Sequence, residues 1–203
     1  MSAREIELKA VVDDPAALET RLEARGARHG FRGRMSDRRY DLPSRALAAR
    51  DELLRVRSFG AAAGGASRLA EVAWKGPTSS EGGYKVREEL QFTVGDAAPV
   101  EAILARLGFA VTETIDRCVA FYDLDGAALR LEWYPRMDVL LEVEGSPATI
   151  EAAVAACGVP RSAFSADRLI DFAARYRQRT GATPALDLAA LGGRQPAWPT
   201  WGG

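Results

Sequence analysis

Histidine is nearly absent from this 203-residue chain, which has His29 alone, and cysteine is limited to Cys118 and Cys157. A zinc centre built on histidine has no support, and the two cysteines lie too far apart for metal-ligand spacing. The same scarcity argues against a disulfide framework and leaves Cys118 and Cys157 as free, buried thiols. No run approaches the roughly 20 apolar residues that cross a bilayer, and charge begins at Arg4, so neither a membrane anchor nor a signal peptide is expected. Net charge is missing too: 27 Lys and Arg face 28 Asp and Glu, a formal balance of -1. Bulk electrostatic attraction to nucleic acid or membranes is thereby excluded, and any anion site must come from local clustering. The expectation is a cytoplasmic chain long enough to bury a core of its own.

What the chain has instead is charge repeated at a period of two. In a strand, Glu5-Ile6-Glu7-Leu8-Lys9 puts Glu5, Glu7 and Lys9 on one face and Ile6 and Leu8 on the other. Glu142 and Glu144 flank Val143 in the same way near the other end. Between them lie Arg55 and Arg57 around Val56, Lys75 beside Trp74, and Lys85, Arg87 and Glu89 around Val86. Glu88 falls on the face opposite Glu89 and is expected in solvent. Lys85, near its strand's start, is expected at the rim.

Around these segments, Asp13 or Asp14 caps a helix that begins at Pro15 and ends near Gly26, burying Leu18 and Leu22. His29 follows it and takes a surface or helix-end position. Residues 37–43 read as a short extended piece, 53–59 and 69–75 as paired strands around the flexible loop 60–67, and 84–94 as a long strand. Residues 99–107 read as a helix closed by Gly108. Strands at 115–124 and 129–133 form a hairpin around Asp125-Gly126, and 138–144 completes the set. Helices follow at 147–157 and 166–179. Residues 181–203 form a Gly, Pro and Trp-rich tail whose composition favours disorder, although Trp198 and Trp201 argue against a passive one.

About eight strands with few helices between them predict antiparallel pairing in an α+β fold. The charged faces either meet solvent, as on an ordinary half-buried sheet, or line the inside of a closed barrel. The near-exclusive use of Glu, Arg and Lys on them favours the second, and a charged interior must then hold water, metal and a charged ligand. Trp74, Trp133 and Phe121 read as packing residues rather than a base-stacking platform.

Set in order, EIELK, YDLP (40–43), LRVR (54–57), WKGP (74–77), KVREEL (85–90), Arg117 and LLEVEG (140–145) resemble the CYTH, or triphosphate tunnel metalloenzyme, superfamily. The wording is most similar to the branch containing class IV adenylyl cyclases. The resemblance covers the chain to about residue 176 and implies a CYTH domain over 1–180, with 181–203 as an appended tail. It implies an eight-stranded antiparallel tunnel, closed or nearly so, with helices packed outside. Lys9, Arg55, Arg57, Lys75, Arg87 and Arg117 would bind phosphate, and Glu5, Glu7, Glu89, Glu142 and Glu144 would hold one or two Mg2+ or Mn2+ ions. Glu5, Glu7, Lys9 and Arg57 carry the catalytic assignment, with Lys85, Arg130 and Glu132 as secondary candidates. Glu132 stands where the family often has aspartate, and Arg130 on the same face could neutralise it. The chain departs from relatives at Met137-Asp138, at Ser165-Ala166 with Arg168 as the nearest cation, and in the tail.

The chemistry such a site suits is metal-dependent cleavage of a triphosphate: inorganic tripolyphosphate, a nucleoside triphosphate or thiamine triphosphate. The alternative is cyclisation of ATP to cyclic AMP and pyrophosphate, and a third reading is a non-catalytic polyphosphate or nucleotide sensor. The expected partner is a small triphosphate or ATP, not nucleic acid or membrane, with self-association as a homodimer left open.

Overall fold

The computed structural model describes residues 3–61 and 69–202 of the chain. In order these are β1 (Ala3–Val11), α1 (Pro15–Ala24), β2 (Arg28–Asp41), β3 (Leu53–Ala61), β4 (Ala70–Lys75), β5 (Ser79–Glu81) and β6 (Tyr84–Val94). Then follow α2 (Ala97–Arg106), β7 (Ala110–Leu124), β8 (Ala127–Trp133), β9 (Leu140–Glu144), α3 (Pro147–Cys157) and α4 (Leu169–Thr180). Local chemistry sets the helix starts. The Asp14 carboxylate accepts from the Ala17 N–H at 2.9 Å and Pro15 opens α1 with its φ already helical. Ser146 and Pro147 do the same for α3, and Gly158 ends it at φ 71°. No described helix is long and apolar enough to cross a membrane.

All the strand pairs are antiparallel, in the order β1-β9-β8-β7-β2-β3-β4-β6. A further β1–β6 pairing joins the two ends, so eight strands form a ring and β5 flanks β6. The expected eight-stranded closure is thus present. The apolar faces point outward and the helices cover them. Leu8, Leu129, Leu131, Leu141 and Val143 pack beneath Leu18 and Leu22 of α1 and Ile150 and Val154 of α3. Phe172 of α4 covers Ile115 and Leu140, and Leu104 of α2 covers Tyr40, Val56 and Val72. Each fully buried aliphatic side chain contributes about 1.5–3 kcal/mol. Much of the hydrophobic stabilisation therefore sits on the outside of the ring, although Met35, Ile115 and Leu140 share the inward faces of the charged residues and Leu90 and Phe92 of β6 stay exposed.

Several boundaries differ from the sequence reading. Residues 37–41 end a 14-residue β2, because pairing with β7 continues from Arg28 to Asp41 and overrides the weak local pattern. His29 consequently lies within β2, exposed, with its ring edge 5.3 Å from Tyr122, not at the helix end. The same pairing starts β7 at Ala110. The last strand begins at Leu140, and α4 begins at Leu169, where the Arg168 N–H donates to Asp171 at 2.9 Å. Of the expected 60–67 loop, Gly60 and Ala61 belong to β3 and 62–67 lie outside the described residues.

The segment after α4 packs against the ring's outside, contrary to its disorder-favouring composition. Arg136 and Ala185 exchange backbone hydrogen bonds of 2.8 and 3.1 Å, and the Ala197 N–H donates to the Pro135 carbonyl at 2.9 Å. Trp198 and Trp201 join the main core cluster. Trp201 meets Trp133 edge-on at 5.3 Å, with the Arg32 guanidinium 5.0 Å from the Trp201 ring. Two large rings supply the apolar area that an average over the segment hides. We expect Trp201→Ala to reduce unfolding free energy by about 1–3 kcal/mol in urea titrations, since the half-buried ring loses its packing. A variant as stable as the wild type would show that this packing contributes nothing.

Candidate active site

Because side chains alternate along a strand, one inward glutamate brings its i+2 neighbours inward as well. Glu5, Glu7 and Lys9 of β1 therefore face Arg55 and Arg57 of β3, Lys75 of β4 and Arg117 of β7 across a cavity of about 620 Å³. All seven are buried. Bases (Lys9, Arg55, Arg57, Lys75, Lys85, Arg87, Arg117 and Arg130) and acids (Glu5, Glu7, Asp37, Glu71, Glu89, Glu132, Glu142 and Glu144) interleave inside the ring, most of them in ion pairs of opposite sign.

The pairing is specific. Lys9 Nζ lies 2.6 Å from both Glu7 Oε1 and Glu142 Oε2, and Lys85 reaches the same Glu7 oxygen at 2.5 Å. Lys85 is thus inside the chamber rather than at its rim. Lys75 pairs with Glu5 and stands 3.2 Å from Glu89. Arg57 grips Asp37 with two donors, Nε to Oδ1 at 2.7 Å and Nη2 to Oδ2 at 3.3 Å, and turns Nη1 to Glu71 at 3.3 Å. Arg117 contacts Asp37 as well, and donates to Glu132 at 2.9 Å and to the Tyr134 hydroxyl at 3.3 Å. Tyr134 in turn donates to Glu132 at 2.5 Å. Arg130 bridges Glu132 and Glu142.

These contacts decide the protonation states. Burial raises the Asp37 carboxyl, yet Arg117, Arg57 and Arg55 together hold it well below the usual range. Burial likewise opposes Glu132, which Arg117 and Arg130 pull down to about 2. Lys9 and Lys85 do the same for Glu7. Glu144 goes the other way: burial and the neighbouring Glu5 raise it. Burial and Arg57 bring Arg55 down to about 10, which still leaves it charged at neutral pH.

Glu5, Glu89 and Glu144 present carboxylate oxygens that all lie within 4.8 Å of one another. The buried Glu5 Oε2 lacks a hydrogen-bond partner, while Lys75 lies between Glu5 Oε1 and Glu89 Oε1. An all-oxygen set that includes a carboxyl raised by burial and like charge suits Mg2+ or Mn2+. Of the five carboxylates expected to hold metal, these three converge. Glu7 and Glu142 instead hold Lys9 between them. Arg87, expected to bind phosphate, lines the cavity and donates to the carbonyls of Gly76 and Asp51, each at 2.6 Å, tying the β2–β3 connection to β6.

Three interior residues escaped the sequence reading. Asp37 was the first residue of a piece taken as short, and Tyr134 follows its strand, two positions after Glu132. Glu71 was the most readable, sharing the period-two face of Lys75.

A family model for the CYTH domain matches residues 3–146, which span β1 to β9. The chain belongs to the CYTH domain family. No curated protein sequence matches it. Among solved structures, this CYTH protein is similar to a Vibrio parahaemolyticus candidate adenylate cyclase, at 15% identity and TM-score 0.70 over 83% of this chain and 96% of that one. A Pyrococcus horikoshii protein matches at 20% identity and TM-score 0.65, over 83% and 98%. A Hippeastrum candidate adenylyl cyclase, described as having a dominant triphosphatase activity, matches at 17% and 0.61 over 92% and 99%. At these identities the likeness is one of fold.

The depressed carboxyls make a stability prediction. A folded pKa below the unfolded one contributes stability that is complete above the unfolded value and lost as pH falls through the folded one. For Glu132 that window runs from its ordinary 4.5 down to about 2. Glu132→Gln should cost about 3 kcal/mol near neutral pH, since it leaves Arg117 with Asp37 and Arg130 with Glu142 as their remaining carboxylate partners, and its stability should then fall less steeply between these pH values. Urea titrations across the window would read both, and parallel pH profiles would overturn the assignment.

Proposed function

We propose that this CYTH protein is a divalent-metal-dependent phosphohydrolase acting on triphosphates. The observation that carries this reading is the convergence of Glu5, Glu89 and Glu144 beside a wall of buried arginines and lysines within one chamber. A triphosphate brings about four negative charges. Entering with divalent cations, it would add less uncompensated charge to a chamber whose own groups are largely paired than it would entering alone.

Arg55, Arg57 and Arg117 match phosphate oxygens with planar forks, and Lys75 adds a point charge. Asp37, Glu71 and Glu132 hold the arginines in place beforehand, so little reorganisation accompanies charge build-up on the transferring group. Lys9, gripped from two sides, keeps its ammonium fixed in the interior. A metal ion held by the three glutamates would polarise phosphoryl oxygens and lower the pKa of a bound water. Hydrolysis needs no nucleophile beyond water, and the similar Hippeastrum protein, described as having a dominant triphosphatase activity, supports this reading. Cyclisation of ATP would use the same cations and carboxylates, and the similar Vibrio protein is described as a candidate adenylate cyclase.

With Mg2+ or Mn2+ and tripolyphosphate, ATP or thiamine triphosphate, the expected product is orthophosphate. Cyclic AMP with pyrophosphate would replace hydrolysis by cyclisation. Glu144→Gln and Glu89→Gln should each lower metal-dependent kcat/KM about 100-fold without shifting Tm downward. Undiminished turnover in both variants would remove the metal assignment.

A further inference from the structure

Outside the chamber, a carboxylate that the metal and phosphate roles leave unused joins three segments of the chain. Asp116, on the outer face of β7, accepts from the Ser36 hydroxyl of β2 at 2.7 Å through Oδ1 and from the Leu188 N–H at 2.9 Å through Oδ2. Its own N–H donates to the Leu186 carbonyl at 2.8 Å. The reason the tail runs here lies in β8. That strand pairs with β7 only as far as Cys118 and Trp133, and continuing the register would set Asp116 opposite Pro135, which has no N–H to give. Residues 185–188 run in that place instead.

The same stretch is fixed at a second point. Arg136 exchanges backbone hydrogen bonds with Ala185, and its Nε donates to the Thr183 carbonyl at 2.8 Å. The two anchors flank one group of the interior. Asp116 directly precedes Arg117, and Arg136 lies two residues beyond Tyr134, whose hydroxyl accepts from Arg117. Ser36 likewise directly precedes Asp37, the carboxylate that Arg117 contacts from the neighbouring strand. Arg117 lies opposite Met35 and Asp37 opposite Ile115, so the two are diagonal neighbours and their contact depends on how β2 and β7 sit against each other. The Ser36–Asp116 bond fixes that placement from outside. Leu186 also lines the chamber, at its mouth with Leu169. The segment adds no charge to the interior, and none of it lies within the family match, which ends at residue 146.

We propose that residues 183–188 are a clamp, with Asp116 as its positioning residue, that holds Arg117 against Asp37 and Tyr134 from outside the ring. The role of Arg117 toward phosphate rests on the triphosphate reading above; the clamp itself does not. A cation held in place before the ligand arrives needs little rearrangement as charge develops, so loosening it costs turnover even though no group that touches the ligand has changed.

In the full chain with Mg2+ and tripolyphosphate, Asp116→Ala should lower kcat/KM about ten-fold. Asp116→Asn should stay within about two-fold of wild type, since its oxygen still accepts from Leu188 and its amide can donate to a hydroxyl that serves as donor or acceptor. Leu188→Pro, which removes the donor N–H at a residue whose φ is already -68°, should follow the alanine variant. In an Arg117→Lys background, Asp116→Ala should cost less than about two-fold, because the group it positions is gone. Equal losses in both backgrounds, or an asparagine variant as impaired as the alanine one, would overturn the clamp. A ligand-free readout separates the clamp from the phosphohydrolase reading. Exchange of the Arg117 Nε–H, identified in NMR spectra by its loss in Arg117→Lys, should speed up about ten-fold in Asp116→Ala and Leu188→Pro but not in Asp116→Asn. Unchanged exchange would overturn the clamp whatever the turnover. Faster exchange in a protein whose wild type leaves tripolyphosphate, ATP and thiamine triphosphate intact would support the clamp and sink the phosphohydrolase reading.

Discussion

Everything in this fold depends on keeping charge paired inside a closed ring. A carboxylate or guanidinium taken from water without a partner costs several kcal/mol, and the ring encloses many of each. Closure is what makes partners available. The β1–β6 pairing brings Glu89 and Lys75 beside Glu5, and the β2–β3–β4 register sets Arg57 between Asp37 and Glu71. An open sheet with the same sequence would leave these faces in water, where exposed pairs are worth little. Closure and pairing are therefore one constraint, and the helices outside supply the apolar burial that allows it.

That constraint also governs binding. Because the interior charges are already largely paired, an anion or a divalent cation entering alone would leave uncompensated charge in a poorly solvated space. On the proposed reading each would lower the cost of the other, and the affinities for metal and for triphosphate would be linked reciprocally. Asp37 and Glu132 have a separate part in this. Held far below their ordinary ionisation range, they remain anionic throughout neutral pH and fix the arginine forks. Glu144 goes the other way, raised by burial and by the neighbouring Glu5.

The ring and most of its charged lining were legible in the sequence because period-two alternation is a local signal. Glu5, Glu7, Lys9, Arg55, Arg57 and Glu142 all follow from it, and so does Glu71 once Lys75 is assigned an inward face. Convergence is not a local property. Which three of five glutamates meet depends on stagger between β1, β6 and β9, and nothing within EIELK or LLEVEG separates Glu5 from Glu7. Arg87 shows the same limit: its face was readable, but its contacts are carbonyls delivered by the β2–β3 connection. The tail was misjudged because composition averages over residues, while docking is decided by two tryptophans and a few backbone bonds.

The two halves of the mouth follow different rules. Strands of the matched region supply charge, and a substitution there must be answered by a partner on a neighbouring stave. Arg168, Leu169, Ile170 and Leu186 lie outside that region, on one helix start and one docked segment, and they touch the charged network only through the Arg168–Asp51 pair. Apolar residues at the rim can therefore change without unbalancing the interior. The interactions that stabilise the charged chamber and those that shape its rim are thus carried by different segments of the chain.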